Sequence, residues 1–267
     1  MRIIRFLNDK DQICYGHNFN DNQAILLEGQ LLADLKETGR TVKVKKLLAP
    51  LVPAAILCTA LNYHQHAIEA GFDLPRYPAL FYKNPAALAH PGDPIVIPAS
   101  CIDPPQVDYE AELAVVIGKT AKNVCQKDAL DYVAGYMSAN DISARRWQLH
   151  AGAGQFARSK SFDTFCPLGP ELITPDEIPD PQTLQLSCTL NGKVMQDANT
   201  SDMIFPVAEI ISYLSTGMTL IPGSIILTGT PSGVGFSRKP PVYLKEGDSV
   251  EVLIGGFAAL INPVINE

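Results

Sequence analysis

The sequence predicts a β-rich α+β fold: one large domain built mainly of strands, preceded by a small N-terminal domain. Three observations predict it. The apolar runs after Pro53 are short and rich in β-branched residues, as in Ile95-Val96-Ile97, Leu113 to Ile117, Leu184 to Leu190, Ile225-Ile226-Leu227 and Val250 to Ile254. Proline and glycine punctuate these runs at Pro91-Gly92-Asp93, Asn191-Gly192, Ile221-Pro222-Gly223 and Glu246-Gly247-Asp248, where turns belong. Helical periodicity, with apolar positions three and four apart, is clear chiefly over Gln126 to Met137 and Pro206 to Ser215.

In chain order, the first element is a strand-like start that turns at Gly16, followed by an amphipathic stretch around Leu31-Leu32-Ala33-Asp34-Leu35. Lys43 to Lys46 and Pro53 then mark a break, which sets the expected domains at 1–52 and 53–267. Asp108 to Gly118 opens with acids and closes as an apolar strand. Asn191-Gly192, between Thr189-Leu190 and Lys193-Val194, is the signature of a two-residue hairpin. Ile225-Ile226-Leu227 runs into the glycine-rich turn Thr228 to Gly235, and Phe257 to Glu267 reads as a last strand.

Hydrophobic residues make up 46% of the 267 positions and charged ones 18%, a balance that argues for a folded domain and against disorder. The net charge is −7, and no Lys/Arg cluster is dense enough to follow a phosphate backbone, so nucleic acid is not an expected partner. Met1 to Asp9 has no apolar core of a signal peptide, and no run approaches the roughly 20 apolar residues of a membrane span. The expectation is a cytoplasmic protein with no membrane partner. Six cysteines at 14, 58, 101, 125, 166 and 188 form no CxxC pair and no zinc spacing, and read as buried or half-buried thiols.

Four segments can carry chemistry. Strand side chains alternate, so Glu110 and Glu112 share a face, and two adjacent carboxylates repel unless a cation or a full set of hydrogen bonds compensates. A solvated edge strand is the plainer explanation. Asp141 would add a third carboxylate and make a set suited to Mg²⁺ or Mn²⁺, and possible for Ca²⁺; it would equally cap a helix beginning near Ser143. His66 and Glu69, three apart, meet on one face of a short helix, which suits a general base or an incidental surface pair; His64 is read as a bystander. Lys160 can present a point charge to an anion or simply be solvated. The backbone N–H groups of Thr228 to Gly235 can cradle an anion, but the turn lacks the ending of a phosphate-binding P-loop.

Taken in order, Asn62-Tyr63 with His66 and Glu69, Phe81-Tyr82-Lys83, Asp108-Tyr109-Glu110-Ala111-Glu112, Asn140-Asp141 through Arg145, Lys160-Ser161-Phe162 and Thr228-Gly229-Thr230-Pro231 resemble the fumarylacetoacetate hydrolase family. The likeness runs from about Leu57 to Val264 and is to the shorter, acylpyruvase and oxaloacetate decarboxylase-like members. It implies a mixed β-sandwich roll core and a homodimer. It further implies Glu110, Glu112 and Asp141 as metal ligands, His66 with Glu69 as a water-activating dyad on a mobile lid, and Lys160 as a third catalytic group. Arg145, Gln148, Gly229, Thr230 and Tyr82 are the implied substrate contacts.

The chain departs from the family at Thr59, where the longer members carry another metal-binding Asp, at Asn84-Pro85-Ala86-Ala87, and at Arg146, where an acid is usual. Arg146 suggests a more cationic pocket. The implied reaction is divalent-metal-dependent hydrolysis of a C–C bond in a small 2,4-dioxo acid of the acylpyruvate type, through a metal-stabilised enolate. The alternatives are an oxaloacetate decarboxylase or a 2-oxo acid tautomerase or isomerase on the same site. From another class comes a non-catalytic metal-binding protein, which would need neither His66, Glu69 nor Lys160.

Overall fold

The structure, a computed structural model, describes residues 1–149 and 154–267. Two sheets carry the molecule. The larger has 12 strands, and along its path they run 36–43, 23–28, 13–20, 2–7, 166–173, 133–140, 111–117, 225–227, 56–60 and 79–83, with two short strands paired at its side. The smaller has five: 193–199, 185–190, 249–254, 260–266 and 95–97. Strands Ala111–Ile117, Val133–Asn140 and Cys166–Ile173 of the first pack against Gln185–Leu190, Ser249–Ile254 and Leu260–Asn266 of the second. This is the two-layer β architecture expected from the sequence, in which each sheet buries its apolar face on the other.

Sequence and burial agree strand by strand. Ala111–Ile117 is buried at every position, as its unbroken apolar run after Glu112 requires of a central strand. Gln185–Leu190 alternates exposed and buried, as a strand with one solvated face does. Asn191 and Gly192 take φ of 52° and 76°, the left-handed pair that a two-residue hairpin of native twist demands. The N-terminal segment adds its strands to the large sheet through Arg2–Leu7, which pairs antiparallel with Cys166–Ile173.

The sequence misleads in one element. Gln126 to Met137 is not a helix: a 3₁₀ segment, Gln126–Tyr132, hands over to the strand Val133–Asn140. Val133 and Met137 lie four apart, which suits a helix, but on a strand buried on both faces that spacing carries no information. The second helix forms as Val207–Ser215, with Val207, Ile210, Ile211 and Leu214 inward. Four cysteines are buried, Cys14 is half-buried and Cys125 is exposed, so Cys125 departs from the expected burial.

Candidate active site

Sheet register builds the acidic cluster. Ala111 pairs with Asn140 and Glu112 with Ala139 in an antiparallel ladder, so the residue before one strand faces the residue after the other. The Asp141 N–H donates to the Glu110 carbonyl at 2.8 Å, and the Asn140 side chain accepts the Glu110 N–H at 3.0 Å. Ligand oxygens of Glu110, Glu112 and Asp141 thereby fall within 4.8 Å of one another, all buried. Asp141 is wholly buried and caps no helix; the next one begins at Arg145.

Three cations close on these acids. Lys160, just after the short helix Phe156–Ser159, lies 2.5 Å from Glu110 Oε2 and 2.5 Å from Asp141 Oδ2. Lys83, at the end of the strand Ala79–Lys83, pairs with the other Asp141 oxygen and donates to the Phe165 carbonyl at 2.6 Å. Arg145 reaches Glu110 Oε1 at 2.7 Å, while its Nε donates to Asp108 Oδ2 at 2.8 Å and its guanidinium stands 4.5 Å from the centre of the Phe236 ring. Burial alone would push Glu110 up, but Lys160 and Arg145 override it and bring its carboxyl down to about 2.

Glu112 has no such partner. Its single hydrogen bond is the Gly229 N–H at 2.7 Å, and among the described residues no cation lies within ion-pair distance of it. Burial first, then the charges of Asp141 and Glu110, push its carboxyl well up. Were Asp108, Glu110, Glu112 and Asp141 all ionised against Lys83, Arg145 and Lys160, one negative charge would stand uncompensated in the interior, and that is the charge Glu112 resists. A carboxylate set of hard oxygen donors with an unpaired buried charge fits a divalent cation, and those donors suit Mg²⁺ or Mn²⁺.

A cavity of about 280 Å³ opens above the cluster. Glu110, Glu112, His66, Arg145, Gln148, Lys160, Thr230 and Thr59 give it a polar floor, and Leu61, Phe72, Leu149 and Phe156 give it an apolar rim. That volume lies at the small end of the range of ligand pockets and suits a small organic acid. Asp141 lies beneath the floor and does not line the cavity.

The helix His64–Ala70 sits at one side. His66 Nδ1 is 3.5 Å from Glu69 Oε2, and Glu69 accepts the Gly233 N–H at 3.0 Å, which leaves Nε2 of His66 for the cavity. Thr230 faces the cavity, though its hydroxyl donates to the Ala111 carbonyl and accepts from Gln196 at 2.7 Å.

Several expected contacts stand elsewhere. Tyr82 points away from the cavity: it is 45% exposed, and its hydroxyl donates to the Met218 sulfur. On a strand its neighbours Phe81 and Lys83 take the inward face, which leaves Tyr82 on the outward one. Gly229 also lies outside the lining, its N–H spent on Glu112. Arg146 is exposed and donates toward the Asp103 carbonyl at 3.4 Å, so it adds no charge to the pocket.

Sequence reasoning missed Lys83 and Asp108 as parts of the site. Both stand inside the quoted motifs, and their full burial as charged residues is a signal that only the fold supplies. The glycine-rich turn does cradle anions, but they are the protein's own: Glu112 on Gly229, Glu69 on Gly233, and Asp108 on the N–H groups of Gly235 and Phe236. Gly233 has φ +98°, and a Cβ there would sit 2.1 Å from the Met195 carbonyl oxygen, so no other residue fits this position.

Comparison with known proteins agrees with this geometry. Residues 55–265 match the fumarylacetoacetate (FAA) hydrolase C-terminal family and residues 1–50 the Rv2993c-like N-terminal family. The chain belongs to the fumarylacetoacetate hydrolase family. It is 47% identical to a fumarylacetoacetate hydrolase domain-containing protein 2 homolog of Dictyostelium discoideum, over 82% of this chain and 74% of that one. It is 46% identical to a Xenopus laevis protein named oxaloacetate tautomerase fahd2, mitochondrial, over 82% of this chain and 68% of that one. Among solved structures, 5-carboxymethyl-2-hydroxymuconate delta-isomerase from Mycobacterium smegmatis superposes with a TM-score of 0.87 at 32% identity, covering all of both chains. No described helix is long and apolar enough to cross a membrane.

Proposed function

We propose that this chain is a divalent-cation-dependent enzyme that moves a proton on a small 2-oxo acid, interconverting its enol and keto forms, with oxaloacetate the first substrate to test. One observation carries the reading: Glu112, buried without a cationic partner, shares a small cavity with His66, which Glu69 orients. The first half calls for a bound cation and the second for proton transfer. The name of the Xenopus relative supports the substrate.

Glu110, Glu112 and Asp141 would hold Mg²⁺ or Mn²⁺, which when bound supplies a Lewis acid that draws charge onto the keto oxygen. Lys160 and Arg145 are placed to attract an anionic substrate, and Lys160 can donate a hydrogen bond to an oxygen that gains charge. His66 Nε2 exchanges a proton with the carbon next to the keto group: in ketonisation that carbon gains one as the enol hydroxyl loses one. Glu69 fixes the orientation of the imidazole.

A second reading keeps the same residues for hydrolysis of a 2,4-dioxo acid, with His66 taking a proton from water. The apolar rim of Leu61, Phe72, Leu149 and Phe156 favours it, because an acyl tail would lie there. Chelator-stripped protein given Mn²⁺ should accelerate the loss of enol-oxaloacetate absorbance. Cleavage of acylpyruvates with no effect on enol-oxaloacetate would select the hydrolase reading, and inactivity on both would overturn the two together.

A further inference from the structure

We propose that Asp202, remote in sequence from the site, is a positioning residue that caps the helix carrying His66 and Glu69. Only the activity arm of the test below rests on the proton-transfer reading. The helix His64–Ala70 has seven residues, too few to persist alone in water, and its own N-cap, Tyr63, offers no side-chain acceptor. Its first-turn N–H groups therefore need an acceptor from elsewhere.

Asp202 supplies it. Its Oδ2 accepts the Gln65 N–H at 3.0 Å, its carbonyl oxygen lies 2.8 Å from His64 Nδ1, and its Oδ1 lies 3.9 Å from the same ring. A negative charge at this end also suits the helix dipole. His64, a bystander to the chemistry, thus becomes a second peg for the helix.

The turn that bears Asp202 is itself fixed. The Asn199 side chain accepts the Ser201 N–H, and the Thr200 hydroxyl donates to the Pro181 carbonyl at 2.7 Å and accepts the Leu184 N–H at 2.9 Å. Asn62, two residues before the helix, bonds the Phe205 backbone in both directions. The far end of the helix is held by Glu69 on Gly233. Without the Asp202 carboxylate the Gln65 N–H loses its acceptor, while the Asp202 carbonyl on His64, Asn62 on Phe205 and Glu69 on Gly233 remain, so the first turn frays and His66 shifts within a helix that stays attached. The acidic cluster keeps every contact.

The test compares Asp202→Ala and Asp202→Asn in the full chain, loaded with Mn²⁺. Asp202→Ala should lower kcat for enol-oxaloacetate about five- to tenfold, the size of a lost N-cap, with KM and Mn²⁺ affinity unchanged. Hydrogen exchange should quicken over residues 64–70 and nowhere else. Asn keeps an acceptor oxygen in place and should return kcat to within about twofold. Unchanged exchange over 64–70 in Asp202→Ala, quickening across the whole chain, or an Asn variant no better than Ala would each overturn the capping role. If the unaltered enzyme has no such turnover, exchange alone decides the cap, and the failure belongs to the functional reading.

Discussion

Glu112 sits in the interior with one backbone N–H for company and two carboxylates beside it, surroundings that disfavour its charge until a cation is bound. Glu112→Gln removes the repelled charge and keeps the shape. It should stabilise the metal-free protein by about 1–2 kcal/mol and weaken Mn²⁺ binding at least about tenfold; denaturant unfolding and calorimetry read the two effects separately. His66→Ala should leave Mn²⁺ affinity intact and lower turnover by about 10²- to 10⁴-fold, the range of a lost general base, as steady-state rates will show. The cluster was legible because strand period two put Glu110 and Glu112 on one face. Lys83 was not, because a lysine next to a strand end carries no mark of burial in sequence. Tyr82 was misread because a motif gives neighbours without their direction.

At the scale of elements, the far end of the helix His64–Ala70 is held by the Glu69 carboxylate on the Gly233 N–H. Burial would raise Glu69, but the hydrogen bonds from His66 and the Gly233 N–H outweigh it and hold the carboxyl below its usual range. A depressed folded value means the anchor contributes fully above the ordinary glutamate value, about 4.3, and is lost as pH falls through the folded one. Protection from hydrogen exchange over 64–70, taken relative to the intrinsic rate at each pH, should therefore fall on acidification below that range, and Glu69→Gln should show the lower protection already at neutral pH with little further change. Other elements were legible in proportion to their exposure to two environments. Gln185–Leu190 alternates because one face meets solvent, whereas Val133–Asn140, buried at every position but Ala134, shows no period and reads as a helix.

For the whole molecule, the N-terminal segment is part of the large sheet as well as a match to its own family. We propose 1–52 and 53–267 as its two units, joined along that strand pair. Deleting residues 1–50 would bare the edge at Glu171–Ile173, which pairs with Arg2–Ile4 and is buried in the intact chain, while Cys166 and Pro167 would keep Leu88 and Ala89. An unpaired apolar edge recruits other chains, so the truncated protein should aggregate where the full one stays dispersed, as light scattering at matched concentration would show. No pattern in the sequence announces this pairing, because its partners lie about 170 positions apart.

The turn from Gly229 to Phe236 gives its amides to Glu112 in the acidic cluster, Glu69 on the helix and Asp108 behind Arg145. Three tools of the site are thus surveyed from one benchmark. A displacement of this turn would shift all three in concert and preserve their spacing, whereas separate mountings would let each drift alone.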